Sequence, residues 1–336
     1  MWCMIRKIEK IGFMFFRFLR DFKKPLVYDI QKKARMHLPK LEEYYLLFEE
    51  KDMQTQKGGR KSFEFDENGI PVVPSYIDVE EKGFHYYPIT IGQYGLSVYH
   101  TYLASGNEED KRRFLNIANW FIEHKSEDER GVFWLTYTKK PEYRIEGPWV
   151  SAFSQSRALS ILLRAYQLTE DKSYLECAQK ALKIYSVLNT NGGVQAVESS
   201  CTAFEEYTAP FNILVFDGCF FSMLGLFDFQ RVFPNNKDVE KLVDQGINGL
   251  IGLLPNYDMN FWIKYSLVSQ SFYPKNEPAT RGYYYLVLTL LRVFYLYTDR
   301  EEFFNYYTKI KKYDTWFNIC RMYYAKFKAL KKLNRL

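Results

Sequence analysis

Two adjacent glutamates, Glu205 and Glu206, stand between Phe204 and Tyr207 and are followed by Thr208-Ala209-Pro210. The proline bars this stretch from a helix interior, so the acids belong to a loop. In an aromatic setting, burial and a like-charged neighbour both raise a carboxyl's affinity for its proton. A solvated loop carrying ordinary acids would show the same letters. Phenols accompany the acids: Tyr257-Asp258, Tyr265 and the run Tyr283-Tyr284-Tyr285 lie downstream, and Tyr86-Tyr87-Pro88 lies upstream. A buried tyrosine close to a cation can lose its proton and act as a base, and a neutral one can act as an acid. Phenols on opposite sides of a sugar ring can therefore take a proton from one face and return it to the other, which is a two-base epimerisation.

The rest of the composition narrows the chemistry. No glycine-rich phosphate loop follows a strand, no His-Glu-x-x-His occurs, and no Cys/His set has zinc spacing. Neither a metal nor another cofactor is expected, and His85, His100 and His124 read as structural. The chain has 336 residues, 47% of them apolar and 26% charged, with 28 Tyr, 28 Phe and a net charge of +6. That is enough apolar material for a sizeable core and excludes a disordered chain. No dense basic stripe runs through the middle, so nucleic acid is not an expected partner. Cys3, Cys177, Cys201, Cys219 and Cys320 are scattered and odd in number, which reads as reduced thiols.

Helices must position these groups, and the helical pattern repeats. A helix ends in an aromatic, a short polar turn follows, and an apolar anchor opens the next helix. Gln93–Leu103 leads to the turn at Gly106, Ala158–Tyr166 to Thr169-Glu170-Asp171, Phe220–Phe233 to Pro234-Asn235-Asn236, and Leu286–Tyr297 to Thr298-Asp299-Arg300. The last three turns recur about 65 residues apart, the spacing of a helical hairpin plus a long loop. Each apolar stripe is too wide for an isolated pair, so pairs should pack side by side. Long tyrosine-rich loops at Asn189–Phe211 and Pro255–Arg281 favour closure into an α/α toroid over an open solenoid. The expected fold is mainly α, an incomplete α/α barrel with a small N-terminal β-rich part. A β-hairpin is predicted around Glu67-Asn68-Gly69, a β-like patch over Gly131–Arg144, and an amphipathic helix over Tyr28–Glu50 with Leu38, Leu41, Tyr45 and Leu46 on one face. The expected division is 1–61 for N-terminal helices and a linker, 62–90 for the β-rich segment, 91–325 for the catalytic α/α-barrel domain and 326–336 for a basic tail.

Several segments, in order, resemble the glucuronyl 5-epimerases that act on heparosan. They are Tyr87-Pro88-Ile89-Thr90-Ile91-Gly92-Gln93-Tyr94-Gly95-Leu96, Pro148-Trp149-Val150-Ser151-Ala152, Arg164-Ala165-Tyr166-Gln167-Leu168-Thr169, Glu205-Glu206-Tyr207, Gly225-Leu226-Phe227-Asp228 and Leu254-Pro255-Asn256-Tyr257-Asp258. Tyr265 and Tyr283 keep the spacing of that family's two late tyrosines. The resemblance implies an α/α-barrel and reversible removal of the carbon-5 proton of a D-glucuronyl unit within a polymer, giving L-iduronyl. By the same resemblance Glu206, Tyr207, Tyr265, Tyr283 and Tyr87 are the expected catalytic residues. Arg281, Glu205, Trp149, Gln155 and Tyr257 are the expected substrate contacts. The sequence departs from the family where Asp-Leu-Arg-His follows the first late tyrosine, for Ser266-Leu267-Val268-Ser269 stands here. The family's arginine before the last tyrosine is Thr280, with Arg281 next door as the available substitute, and Tyr284 replaces a histidine.

The expected partner is an acidic, glucuronate-containing polysaccharide, with a homodimer as the anticipated assembly. A uronate lyase on the same fold and a non-catalytic glycan-binding protein are the competing readings; a glycosidase would need two facing carboxylates. Met1–Phe22 surrounds an aromatic cluster with Lys and Arg and lacks a small-residue cleavage site. It reads as a basic amphipathic helix, either packed on the domain or lying on an anionic membrane surface, and Lys326–Arg335 repeats the pattern. The expected location is the cytoplasm, with peripheral contact at the inner membrane face.

Overall fold

The computed structural model describes Gly12, Phe15, Phe16, Phe18 and Leu19, and residues 28–54, 63–75 and 83–335. Most of the expected Met1–Phe22 helix and the 55–61 linker lie outside the described residues. The elements in chain order are α1 (Lys33–Met36), α2 (Glu50–Gln54), β1 (Glu64–Phe65), β2 (Pro71–Pro74), β3 (Phe84–Tyr86), α3 (Pro88–Ser105), α4 (Glu108–Glu123), β4 (Ser126–Asp128), β5 (Gly131–Phe133), α5 (Ala152–Thr169), α6 (Lys172–Ala181), β6 (Gln195–Glu198), β7 (Cys201–Phe204), α7 (Phe216–Val232), α8 (Lys237–Tyr257), α9 (Arg281–Thr298), α10 (Glu301–Lys311) and α11 (Trp316–Lys332). The fold is mainly α with small antiparallel sheets, as the periodicity predicts.

The polar turns separate consecutive helices because they carry the caps. Asn107 accepts from Glu109 N at 2.8 Å to open α4, Asp171 accepts from Ser173 N at 2.9 Å to open α6, and Asn236 accepts from Val239 N at 3.1 Å near the start of α8. Gly106, Glu170 and Asp299 close the preceding helices in the left-handed region, at φ 63°, 59° and 53°. The hairpin β1–β2 pairs Glu64 with Val72 around the predicted turn, where Asp66 Oδ1 accepts from Asn68 N and Ile70 N. In the β-like patch only Gly131–Phe133 is a strand, pairing with Ser126–Asp128; isolated bridges at Thr136↔Trp149 and Lys140↔Ile145 continue it.

The chain divides into two compact units. One contains Asp29–Leu214 and Gly218–Gly252; the other contains Val215–Asp217, Leu253–Leu336 and the described residues before Asp29. In the first unit α3 packs on both α4 and α5, and a Cβ at Gly95 would fall 2.8 Å from Ile161 Cδ1 and 2.9 Å from Ile117 Cγ2. The second unit contains the hairpin α9–α10 and the terminal helix α11.

The predicted helix over Tyr28–Glu50 is not formed. Before α2 opens at Glu50, only the single turn of α1 is helical, and Gln31 N and Leu47 N bond to Tyr45 O and Asp29 O at 3.0 and 2.9 Å. Pro39 lacks the amide a helix would need there, and side chains from elsewhere take up the backbone groups. Arg231 Nε donates to Leu38 O (2.9 Å), Arg164 Nε donates to Glu42 O (3.2 Å), Gln167 Oε1 accepts from Leu41 N (2.8 Å) and His100 Nε2 accepts from Tyr44 N (2.8 Å). Leu41, Tyr45 and Leu46 are buried as expected, whereas Leu38 is exposed. Burial holds His100 down at about 4, so it is neutral and structural.

Candidate functional site

The first unit gathers Tyr87, Trp149, Glu206 and Tyr207 around a lysine. Tyr87 sits at the mouth of α3, Trp149 pairs through its backbone with Thr136, and Glu206-Tyr207 follows the end of β7. The Tyr207 ring lies 5.1 Å from Trp149 and 5.4 Å from Tyr143, and Tyr87 lies 6.0 Å from Trp149. Lys140 Nζ is 4.6 Å from the centre of the Tyr207 ring, 5.7 Å from Tyr87 and 6.0 Å from Trp149, and the residue is only 3% exposed. Trp149 is locked by its indole N–H, which donates to Thr138 O at 2.7 Å. Burial pushes the Glu206 carboxyl up to about 7, although its hydrogen bond with Tyr207 and the Lys140 charge both pull it down. A cation over a phenol, bonded to an acid that titrates near neutrality, is a set of groups able to move a proton. Gly218 leaves the room for it, since a Cβ there would fall 2.6 Å from Glu206 Cβ.

Glu205 points elsewhere. Its two oxygens accept from Ile213 N at 2.7 Å and Leu214 N at 2.8 Å, and it is wholly buried. Burial raises it to about 8 against the pull of these two amides. Leu214 has a left-handed φ of 51°, so the carboxyl pins a strained turn. Both Glu205 oxygens are thus engaged by backbone amides of the following loop. Gln155 is likewise internal: it donates to Val132 O (2.9 Å) and Ala181 O (3.1 Å) and accepts from Trp134 N (3.3 Å).

The second unit brings Tyr265 and Tyr283 together, with ring centres 5.3 Å apart. Tyr265 is fixed through its backbone, which donates to Glu277 O (2.7 Å) and accepts from Phe216 N (2.9 Å); Tyr283, at the start of α9, is exposed. Lys326 of α11 approaches to 5.3 Å from the centre of the Tyr265 ring while its Nζ donates to Glu277 Oε1 at 2.5 Å. Tyr273 donates to the same carboxylate. Burial would raise Glu277, but the charge and hydrogen bond of Lys326 outweigh it and hold the acid below its ordinary range. Lys326, in the stretch whose sequence repeats the basic amphipathic pattern, is an inward-turned residue of α11, 13% exposed.

Arg281 and Tyr257 each have partners within the second unit. Arg281 donates through Nε (2.9 Å) and Nη2 (2.8 Å) to Asp314, which also receives the Tyr285 hydroxyl. Tyr257 is fully buried and stacks on Phe216 at 3.8 Å. Sequence reasoning missed Lys140, Tyr143, Glu277 and Lys326. Lys140 lay within the β-like patch and Lys326 within a basic run, and neither has a local signal of partnership.

Residues 127–312 match the model of the D-glucuronyl C5-epimerase C-terminus. Over 179 residues the chain is 27% identical to a D-glucuronyl C5-epimerase of Caenorhabditis elegans, a match covering 49% of this chain and 29% of the nematode protein. An uncharacterized protein of Methanocaldococcus jannaschii is 23% identical over 247 residues, covering 68% of this chain and 77% of that one. The chain thus corresponds to less than a third of the nematode protein's length. Over half of the chain falls within the matched region, which holds Lys140, Trp149, Glu206, Tyr207, Tyr265 and Tyr283, and the chain belongs to the D-glucuronyl C5-epimerase family.

Proposed function

We propose that this protein exchanges the carbon-5 proton of D-glucuronyl units in an acidic polysaccharide, converting them to L-iduronyl units. The observation that carries the reading is Lys140 over Tyr207 beside a Glu206 that titrates near neutrality, in a chain of this family. The carbon-5 hydrogen lies next to the uronate carboxylate. Its removal as a proton leaves an electron pair that delocalises into that carboxylate, so the step needs a base and a nearby positive charge. Tyr207 with Glu206 supplies the base and Lys140 the charge; return of a proton to the opposite face completes the inversion. Tyr87 and Trp149 are assigned as walls that orient the sugar; Tyr265 and Tyr283, in the second unit, are assigned a part in proton transfer by the family resemblance alone. Glu205 and Gln155 position the loops, and no step is assigned to Tyr257.

The test is deuterium uptake at uronate carbon 5, followed by NMR in heavy water with unsulfated heparosan and other uronate polymers. Uptake with new iduronyl signals supports the assignment, whereas an unsaturated, ultraviolet-absorbing product would make the protein a lyase. Tyr283→Phe is expected to abolish exchange with the fold intact, and full exchange in that variant would remove Tyr283 from the mechanism.

Lys326 is assigned the positive charge that the segment after Tyr265 does not provide, since Ser266-Leu267-Val268-Ser269 contains no cation. It lies beyond the matched region, which ends at 312. An opposite charge at this range favours an ionised phenol by about one to three pKa units. Lys326→Met is therefore expected to slow exchange about tenfold or more at saturating polymer, with Lys326→Arg retaining most of it. Equal rates in Lys326→Met and the parent would rule the role out.

A further inference from the structure

We propose that the outward face of α11, together with the N-terminal aromatics beside it, docks this protein on the surface of an anionic lipid bilayer. The inference goes beyond the epimerase reading and does not depend on it.

Along α11 the exposed residues are Trp316, Phe317, Cys320, Arg321, Tyr324, Phe327, Lys328, Lys331 and Lys332, clustered at spacings of three and four positions. They form one face. A helix on a water-facing surface normally shows charged and small polar side chains there, yet Trp316 is 71% exposed, Tyr324 64% and Phe317 57%. The exposure does not come from a loose helix. Ile319, Met322 and Ala329 are buried on its other side, Lys326 is bonded to Glu277, and Lys332 Nζ donates to Ser271 O (3.0 Å) and Tyr273 O (2.7 Å). The patch also extends beyond the helix. Phe18 meets Tyr323 edge-on at 5.0 Å, and its neighbours Phe15, Phe16 and Leu19 are exposed.

Charge selects the occupant. From Thr315 to Leu336 there are six Lys or Arg and no Asp or Glu. Arg321 and Lys328 are interleaved with the rings, over Phe261 at 3.9 Å and Tyr324 at 4.3 Å. A second copy meeting this face across a two-fold axis would set cations against cations. A soluble acidic polymer would satisfy the lysines and leave Trp316 and Phe317 in water. An anionic bilayer answers both features: its headgroups neutralise the cations, and its interfacial layer receives amphipathic rings. The mode is surface docking, because among the described residues no helix is long and apolar enough to cross a membrane.

The experiment is co-sedimentation of the full chain with vesicles of phosphatidylcholine alone and of phosphatidylcholine mixed with phosphatidylserine. Binding is expected to the mixed vesicles only, and to weaken at high salt. The double variant Trp316→Ser, Phe317→Ser, checked for fold by circular dichroism, is expected to bind about tenfold more weakly or worse. Replacing Arg321, Lys328 and Lys331 with Gln is expected to remove the preference for the anionic vesicles. No binding by the parent protein, or unchanged binding by the aromatic variant, would overturn the proposal. So would a dimer in sedimentation equilibrium that the aromatic variant dissolves, since the face would then belong to a second copy.

Discussion

Glu206→Gln is expected to reduce carbon-5 proton exchange by about a hundred- to ten-thousandfold, the usual worth of a positioned acid or base. The amide fills nearly the same volume beside Gly218 but cannot take up a proton. On the proposed reading, the parent protein should show an activity limb centred near pH 7, rising as Glu206 ionises, and the variant should lack it. The same substitution should stabilise the fold at alkaline pH. Glu206 has a folded-state pKa raised above its ordinary 4.5, so its favourable contribution is present below 4.5 and lost as pH rises through about 7. Above that the parent carries a buried charge at a cost on the order of 3 kcal/mol, which Gln avoids. The apparent melting temperature of the variant should therefore exceed the parent's at pH 8 and lose that advantage at pH 5. A variant with reduced activity and reduced stability at every pH would point to a structural role for Glu206.

The parts of this fold that were legible in the sequence are those whose signals are local. The turns at Gly106, Thr169–Asp171, Pro234–Asn236 and Thr298–Arg300 each combine a left-handed or polar stop with a capping residue or an anchored helix start, and all separate two helices. The Glu67–Gly69 turn was equally local, with Asp66 bonding across four residues. What failed was whatever depended on distant partners. Nothing within residues 28–50 reveals that Arg164 and Arg231 take its carbonyls from more than a hundred residues away. The same limit hid part of the site. Glu206 and Tyr207 were visible as an acid and a phenol on a loop. Lys140, which touches Tyr207 from 67 positions upstream, and Lys326, bonded to Glu277 from 49 positions downstream, were visible only as two more basic residues. Arg281 shows the converse, since a suitable position next to Thr280 did not disclose that Asp314 engages it.

Asp228→Ala is expected to destabilise the first unit by about 3–5 kcal/mol, the cost of leaving a buried charge without its partner. Asp228 accepts from Arg164 at 2.7 Å and from Arg231 at 3.4 Å, and all three side chains are excluded from water. Removal of the carboxylate strands two guanidinium groups, one on α5 and one on α7. These arginines also hold the non-helical N-terminal segment: Arg231 donates to the carbonyls of Arg35, Leu38 and Lys40, and Arg164 to that of Glu42. Loss of Asp228 should therefore free residues 29–48 first, seen as early proteolysis there and a lowered melting temperature, before the hairpins α3–α4 and α5–α6 open. Asp228→Asn, which keeps the shape and one acceptor oxygen, should fall between the two. Breaking the exposed pair Lys237–Glu240 gives the comparison, because an ion pair in water contributes about 1 kcal/mol or less. If Asp228→Ala were as mild as that control, the arginines would be anchored by the carbonyls alone. Arg164 and Asp228 belong to two separate segments that resemble the epimerase family, Arg164-Ala165-Tyr166 and Gly225-Leu226-Phe227-Asp228. Their direct pairing gives that part of the resemblance a structural cause: it ties two helices and a strap together, and a loss of exchange in Asp228→Ala should track the loss of fold and return in any variant that restores it.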